Sequence, residues 1–396
     1  MKSPEKQIAD FLTRSVENVY PKREMLEAAL ESGKKIRVYL GIDPTGPTLH
    51  IGHAIALRKL AELQKMGHEV IMLIGDFTAM IGDPTDKSAT RKQLSREEVL
   101  ANCESYKVQA GNILDFEGEN AAKLLFNSEW LGKMSFSDVV ELASHFTVQQ
   151  MMERDMFAKR MQEEKPVYLH EFMYPLMQGF DSVAMEVDLE IGGNDQTFNM
   201  LAGRTLMKEI KGKEKMVLTT KLLADATGKK MGKSEGNMVA LSDSPEEMYG
   251  KIMSWTDGMI LNGFELCTDV PLEEIVSIGK SMADGENPVL FKHRLAYEIV
   301  SSFLGESAAE AAREHFAKVH KSGEVPEEVV EYQMDSDATL ADVLVGSGLV
   351  ASKSEARRQI EQGGVKVDGV VVNDIMAQVQ SGSVIQKGKR HFIRIV

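Results

Sequence analysis

The chain has 396 residues, 43% hydrophobic and 27% charged, with a net charge of −14. That length exceeds one ordinary core, so two or three domains are expected, and no apolar run approaches the roughly 20 residues of a membrane span. Two distant cysteines, Cys103 and Cys267, argue against a disulfide scaffold or a zinc module, and the opening MKSPEKQIADFL is no secretory signal, so a cytoplasmic location is expected.

Residues 3–32 read as helical. From there to about residue 220, strand candidates at 36–42, 69–75, 122–127, 184–191 and 215–219 alternate with helical patterns near 52–66, 95–112, 135–145, 168–179 and 195–211. Such alternation implies an α/β fold: a doubly wound parallel sheet with helices on both faces and ligands at the carboxyl ends of its strands. Residues 240–330 carry no strand pattern. Within them 248–254, 272–282 and 289–320 read as helices, taken as a separate helical domain. The acidic stretch SGEVPEEVVEYQMDSDA then joins a basic tail. From Ala338 to Val396 eight Lys or Arg face five Asp or Glu, net +3, which leaves −17 on the rest. A basic module on an acidic body suits a polyanionic partner.

Several clusters at loop or helix-start positions carry chemistry. In TLHIGHAIAL, His50 and His53 sit one helical turn apart beside the first turn of a helix. Free backbone N–H groups and the positive dipole end favour an anion there. A phosphate site is one reading; a metal pair, a pH switch and simple capping are the others, the metal pair lacking a third ligand at any sensible spacing. IGDPT (81–85) places Asp83 before a proline in a turn, where ordinary turn chemistry also accounts for it. IGGNDQ (191–196) offers two glycines that let a ligand approach the backbone, although an N-cap explains Asn194 or Asp195 equally well. GKKMGKSEGN (228–237) sets three lysines and a serine among glycines, a cationic loop suited to phosphate oxygens or simply to solvent. It lacks the spacing of an NTPase phosphate loop. In YLHEFMYPLMQGFDSVAM, Tyr174, Gln178 and Asp181 share one helix face that is otherwise apolar. Polar groups buried there need partners in the protein or in a ligand.

Together, and in this order, the clusters resemble the class I aminoacyl-tRNA synthetases, and within them the bacterial tyrosine-specific branch. HIGH matches the first class signature, and KMGKS, Lys230 to Ser234, is similar to the second, KMSKS, with glycine for the first serine. YLGIDPTGPTLHIGH, IGDPT, YPLMQGFD and IGGNDQ resemble the tyrosine-specific pattern, and TLADVLVGSGLVASKSEARRQIEQGGVKVDGVVV is similar to an S4 RNA-binding module. The resemblance implies a Rossmann-type catalytic domain over 1–225, a KMSKS-like loop and helical anticodon-recognition domain over 226–325, a linker over 326–337 and a small α+β S4-like domain over 338–396. It implies activation of L-tyrosine by ATP, with Mg²⁺ arriving on the ATP and no protein-bound metal, followed by transfer to tRNA(Tyr). No membrane partner is implied, and a homodimer is.

The resemblance also assigns residues. Tyr39 and Asp181 would hold the tyrosine hydroxyl; Asp83, Tyr174 and Gln178 would hold the α-ammonium, with Gln196 near the carboxylate. Thr45 and His50 would meet the ATP phosphates, His53 and Gly52 would lie against the nucleotide, and Gly193 and Asp195 would border its ribose. Lys230 and Lys233 would clamp the pyrophosphate, and Lys353, Arg357 and Arg358 would face RNA. Thr197, where related enzymes often carry an aromatic, and Lys221, where proline is frequent, depart from the pattern. Two rivals remain: a tryptophan-specific relative, which typically lacks the S4-like tail, and an RNA-binding protein with an inactive synthetase body. Intact HIGH and both loop lysines argue against the latter.

Overall fold

A six-stranded sheet organises the first of two compact units, residues 1–310, in the computed structural model, which describes residues 3–83, 94–224, 238–321, 330–334, 338–350, 352–388 and 391–396. Its strands are β1 (Val16–Tyr20), β2 (Arg37–Ile42), β3 (Glu69–Ile74), β4 (Lys123–Phe126), β5 (Leu189–Gly193) and β6 (Met216–Thr220), in the order β1-β6-β5-β2-β3-β4. All neighbours run parallel except β1, which pairs antiparallel with β6. Val38, Tyr39 and Leu40 of β2 and Val70 to Ile74 of β3 are buried, as continuous apolar runs are when helices cover both faces. The chain builds β3 and β4 to one side of β2, then β5 and β6 to the other. Strand order therefore reverses between β2 and β5, and their carboxyl ends define the crevice where such sheets bind ligands.

Three differences from the expected elements have physical causes. Residues 3–32 are not all helical, because β1 lies between the helices Pro4–Thr13 and Arg23–Glu31. Ser15, with φ 60°, ends the helical path, and the next residues complete the sheet edge left by β6. The helix expected over 168–179 runs Leu169–Met185, and Glu186 at φ 51° turns the chain into β5. The strand expected from 184 thus begins at Leu189; a short apolar run fits either element until its length is known. Gly179 does not stop the helix. It is where the helix crosses its neighbour Thr197–Lys211, and a Cβ there would stand 3.1 Å from the Gly203 nitrogen.

Beyond the sheet the helices Pro245–Met253, Ile260–Cys267, Leu272–Ala283 and Pro288–Leu304 belong to the same unit. Arg14 ties them to the sheet by donating to the carbonyls of Phe264, Glu265 and Val270. The pattern over 289–320 is divided at Gly305, which has φ 92°.

The second unit, Ala311–Val396, carries β7 (Val330–Tyr332), β8 (Val365–Val367), β9 (Val370–Val371), β10 (Val384–Lys387) and β11 (His391–Ile395), ordered β7-β11-β10-β8-β9. The helices Leu340–Gly346 and Lys353–Glu361 pack Leu340, Leu344, Ala356 and Ile360 against Val365, Ile385 and Ile395. β7 lies within the stretch read as a linker; it pairs in parallel with β11, a partner remote in sequence that periodicity does not reveal. Among the described residues no helix is long and apolar enough to cross a membrane.

Candidate active site

His50 is the N-cap of the helix Ile51–Lys65, which begins just past the carboxyl end of β2. Its Nδ1 accepts from the Gly52 N–H at 3.1 Å, and the His53 Nδ1 accepts from the His50 N–H at 3.1 Å. The two imidazoles thus stand in for the side chains of a capping box, ring centroids 3.9 Å apart. Because each Nδ1 accepts, the proton of each neutral ring belongs on Nε2, which is left as a donor. Burial holds both rings in the neutral form: it lowers the pKa of His50, and it pushes His53 down to about 3 with the neighbouring His50 adding to the effect. Capping and ligand donation are therefore compatible, since they use opposite ring nitrogens.

This arrangement has a pH consequence. The His53 pKa is lower folded than unfolded, so its stabilising effect is complete above about 6.5 and declines as pH falls toward 3. Asp181, raised by burial, works in the opposite sense: its contribution is complete below the ordinary carboxylate range and declines as pH rises. Comparing urea unfolding of the wild type with His53→Asn cancels the Asp181 effect. The wild type should lose ground to the variant as pH falls from 6.5 to 4, by at most about 1.4 kcal/mol per pH unit. A difference that does not change with pH would show that His53 titrates normally.

The chain returns to these histidines from the far side of the lysine loop. Ile51 N–H donates to the Val239 carbonyl at 3.0 Å, and Leu241 N–H donates to the Leu49 carbonyl at 2.9 Å. The segment that follows the loop is thereby pinned to the start of the HIGH helix. Lys230 and Lys233 themselves lie outside the described residues.

The other candidates converge on the β2/β5 crevice. Tyr39 on β2 is buried, its hydroxyl 3.0 Å from Ser182 Oγ. Asp181 is 2% exposed and accepts from Trp130 Nε1 at 2.7 Å and Asn127 Nδ2 at 3.3 Å. Burial raises its pKa well above the carboxylate range while those two donors hold it down. Asp83 accepts from Gln196 Nε2 at 2.7 Å and Arg154 Nη2 at 3.0 Å. The Tyr174 hydroxyl donates to Asp43 at 2.7 Å, and Gln178 Nε2 donates to Glu190 at 3.1 Å. Thr45 is exposed in the turn after β2, Gly52 lies in the first helical turn, and Gly193 ends β5 with the exposed Asp195 two residues on.

Several residues of this cluster carry no sequence signal of their own. Asp43, directly after β2, accepts from Tyr174 and from Thr78 Oγ1 at 2.7 Å, and Gly75 leaves it room: a Cβ there would come within 1.9 Å of its Oδ1. Asn127, Trp130, Arg154, Ser182, Glu190 and Lys215 are likewise brought in from separate elements. Of the two departures, Thr197 donates back to the Asn194 carbonyl at 2.6 Å, and Lys221 forms an ion pair with Glu265 at 2.7 Å. That pair attaches the end of β6 to the helix Ile260–Cys267.

In the second unit Lys353, Arg357 and Arg358 are exposed on the helix Lys353–Glu361, opposite its buried Ala356 and Ile360. Lys353 pairs with Asp342 at 2.7 Å, a hydrogen bond that holds the Asp342 carboxyl down to about 2, and Arg357 lies 3.5 Å from Glu361. Exposed pairs of this kind are weak.

The sheet thus carries two capping histidines at the helix start after β2 and a hydrogen-bonded polar cluster across the β2/β5 switch point, the place where sheets of this kind bind ligands. The chain belongs to the class I tRNA synthetases: residues 31–321 match the family described as tRNA synthetases class I (W and Y), and residues 339–385 match the S4 domain. Among its relatives are tyrosine–tRNA ligases. It is 45% identical to that of Thermotoga maritima over 99% of this chain and 98% of the other, and 44% identical to that of Haemophilus ducreyi over 97% and 96%. The truncated mitochondrial tyrosyl-tRNA synthetase of Coccidioides posadasii has the same fold, with a TM-score of 0.63 and 26% identity over 79% of this chain and 92% of that one.

Proposed function

We propose that the chain activates L-tyrosine with ATP, supplied as its Mg²⁺ complex, and transfers the tyrosyl group to the 3′-terminal adenosine of tRNA(Tyr). The observation that carries the amino-acid assignment is Asp181, a carboxylate buried beneath the crevice near Tyr39, with Trp130 and Asn127 donating to it. An apolar side chain would bring no further donor to that carboxylate; a phenol donates to it and accepts in return. Asp83, Tyr174 and Gln178 receive the α-ammonium, with Gln196, already on Asp83, beside the carboxylate.

The tyrosine carboxylate oxygen then attacks the α-phosphorus of ATP; a new P–O bond forms and the bond to pyrophosphate breaks. This step needs alignment and stabilisation of growing charge more than a base. The Nε2 donors of His50 and His53 face that charge from the helix start. In this reading Thr45 and Gly52 also meet the nucleotide, Gly193 and Asp195 border its ribose, and Lys230 and Lys233, outside the described residues, clamp the leaving pyrophosphate. We assign catalysis to residues 1–225, anticodon recognition to 226–325 and acceptance of RNA to the S4 region 338–396 through Lys353, Arg357 and Arg358, in a cytoplasmic homodimer. The apolar Phe136, Val140, Val148 and Leu169, exposed in the single chain, support the dimer.

The test is ATP–pyrophosphate exchange across the twenty amino acids. Exchange with tyrosine is expected, and exchange with tryptophan alone would overturn the reading. A chain ending at Lys321, before β7, should keep exchange yet lose most tRNA charging, and the binding it loses should weaken steeply with salt because phosphate contacts release counterions. Full charging by the shortened chain would give the tail another purpose.

A further inference from the structure

Lys215 and Glu190 form a buried ion pair beside Tyr39 and Ser182. Lys215, at the start of β6, is fully buried, and its Nζ has three donor protons and no acceptor. All three are committed: to Glu190 Oε2, to Ser182 Oγ at 2.7 Å and to the Met200 carbonyl at 3.1 Å. The other Glu190 oxygen accepts from Gln178. Gly203 makes the space, since a Cβ there would stand 2.5 Å from Lys215 Nζ and 2.8 Å from Ser182 Oγ.

The consequence falls on a proton. Ser182 Oγ must accept from Lys215, so its own hydroxyl proton needs an acceptor, and the acceptor in reach is the Tyr39 oxygen at 3.0 Å. Were Tyr39 the donor instead, both Ser182 lone pairs would be filled and its buried proton would go without an acceptor among the described residues, at a cost of about 1–3 kcal/mol. With Ser182 donating, the Tyr39 proton points away from Ser182, and until substrate arrives the Glu190 carboxylate is its alternative acceptor. We infer that Lys215 and Glu190, acting through Ser182, are positioning residues that orient the Tyr39 hydroxyl as a donor to the substrate hydroxyl. This inference rests on the tyrosine reading. The pocket then offers one donor, Tyr39, and one acceptor, Asp181, to a group that both accepts and donates. The same ion pair holds Gln178 through Glu190, so one buried contact aligns residues assigned to both ends of the amino acid.

The test uses the full-length enzyme in pyrophosphate exchange. Ser182→Ala removes the donor to Tyr39 and leaves the Lys215–Glu190 pair in place. It should lower kcat/KM for tyrosine roughly three- to tenfold, the range of one neutral hydrogen bond. The value for phenylalanine and the KM for ATP should stay within about twofold. In a Tyr39→Phe background Ser182→Ala should add almost nothing, because its effect passes through the hydroxyl already removed. Equal losses for tyrosine and phenylalanine, or effects that multiply in the double variant, would overturn the inference and leave Ser182 as packing. Lys215→Met/Glu190→Gln, which avoids an unpaired buried charge, provides a second route: tyrosine preference should fall there too, and unchanged preference in a folded variant would also overturn it. Absence of tyrosine-dependent exchange in the wild type would instead remove the underlying reading.

Discussion

Asp181→Asn is expected to lower kcat/KM for tyrosine at least about a hundredfold, close to 2.7 kcal/mol, while KM for ATP stays within about twofold. The wild-type carboxylate has two oxygens and two protein donors, Trp130 Nε1 and Asn127 Nδ2. An amide places an NH₂ where one oxygen was, so it either faces a protein donor or turns a donor toward the Tyr39 side. Each outcome leaves a buried polar group badly matched, at about 1–3 kcal/mol, and removes the acceptor for the phenol proton. Phenylalanine brings no such proton, so its kcat/KM should fall far less and discrimination should collapse. A site built to hydrogen-bond a hydroxyl rejects the analogue lacking it far better than an apolar slot does, tyrosine-specific synthetases being the standing example of that rule. Comparison of tyrosine and phenylalanine kinetics in wild type and variant decides the matter. If Asp181→Asn discriminates as well as the wild type, the phenol binds elsewhere.

The second large effect concerns charge development at the α-phosphate. His50→Ala, Lys230→Ala and Lys233→Ala should each slow adenylate formation at least about tenfold, roughly 1.4 kcal/mol, with a smaller change in ATP affinity. The His50 ring adds a finer expectation. Its Nδ1 is occupied by the Gly52 N–H, so donation to ligand comes from Nε2. A glutamine amide nitrogen reaches farther from the backbone, toward the Nε2 position, whereas asparagine reaches only to Nδ1. His50→Gln should therefore retain more adenylate formation than His50→Asn, measured by stopped-flow burst rates. The reverse order would place the functional nitrogen at Nδ1 and break the link between cap and chemistry.

Much of this site is legible in the amino-acid order because it is local. The HIGH histidines cap a helix start, whose exposed N–H groups are also what would favour an anion there, and the four-and-three spacing of Tyr174, Gln178 and Asp181 lies on one face of one helix. Asp83 and Gln196 stand out by their turns, although nothing in either turn announces that they bond to each other. The roles of Asp43, Asn127 and Trp130 are not legible, because an aspartate after a strand or a tryptophan in a short helix has many uses. Their partners, Tyr174 and Asp181, come from remote parts of the chain.

By itself the sequence determined the alternation that makes a parallel sheet, the switch-point loops, the helix start at the HIGH histidines and the basic tail, since each follows from periodicity, capping or charge within a short window. Only the tertiary structure decided what depends on meeting across distance. β1 is a strand because β6 presents an unpaired edge, and β7 is one because β11 does. Lys215, which as a lone lysine reads as surface, is buried because Glu190, Ser182 and the Met200 carbonyl satisfy all its protons while Gly203 makes room. A charge is kept out of water only when every donor finds an acceptor, and those acceptors were assembled by the packing of two helices and two strands.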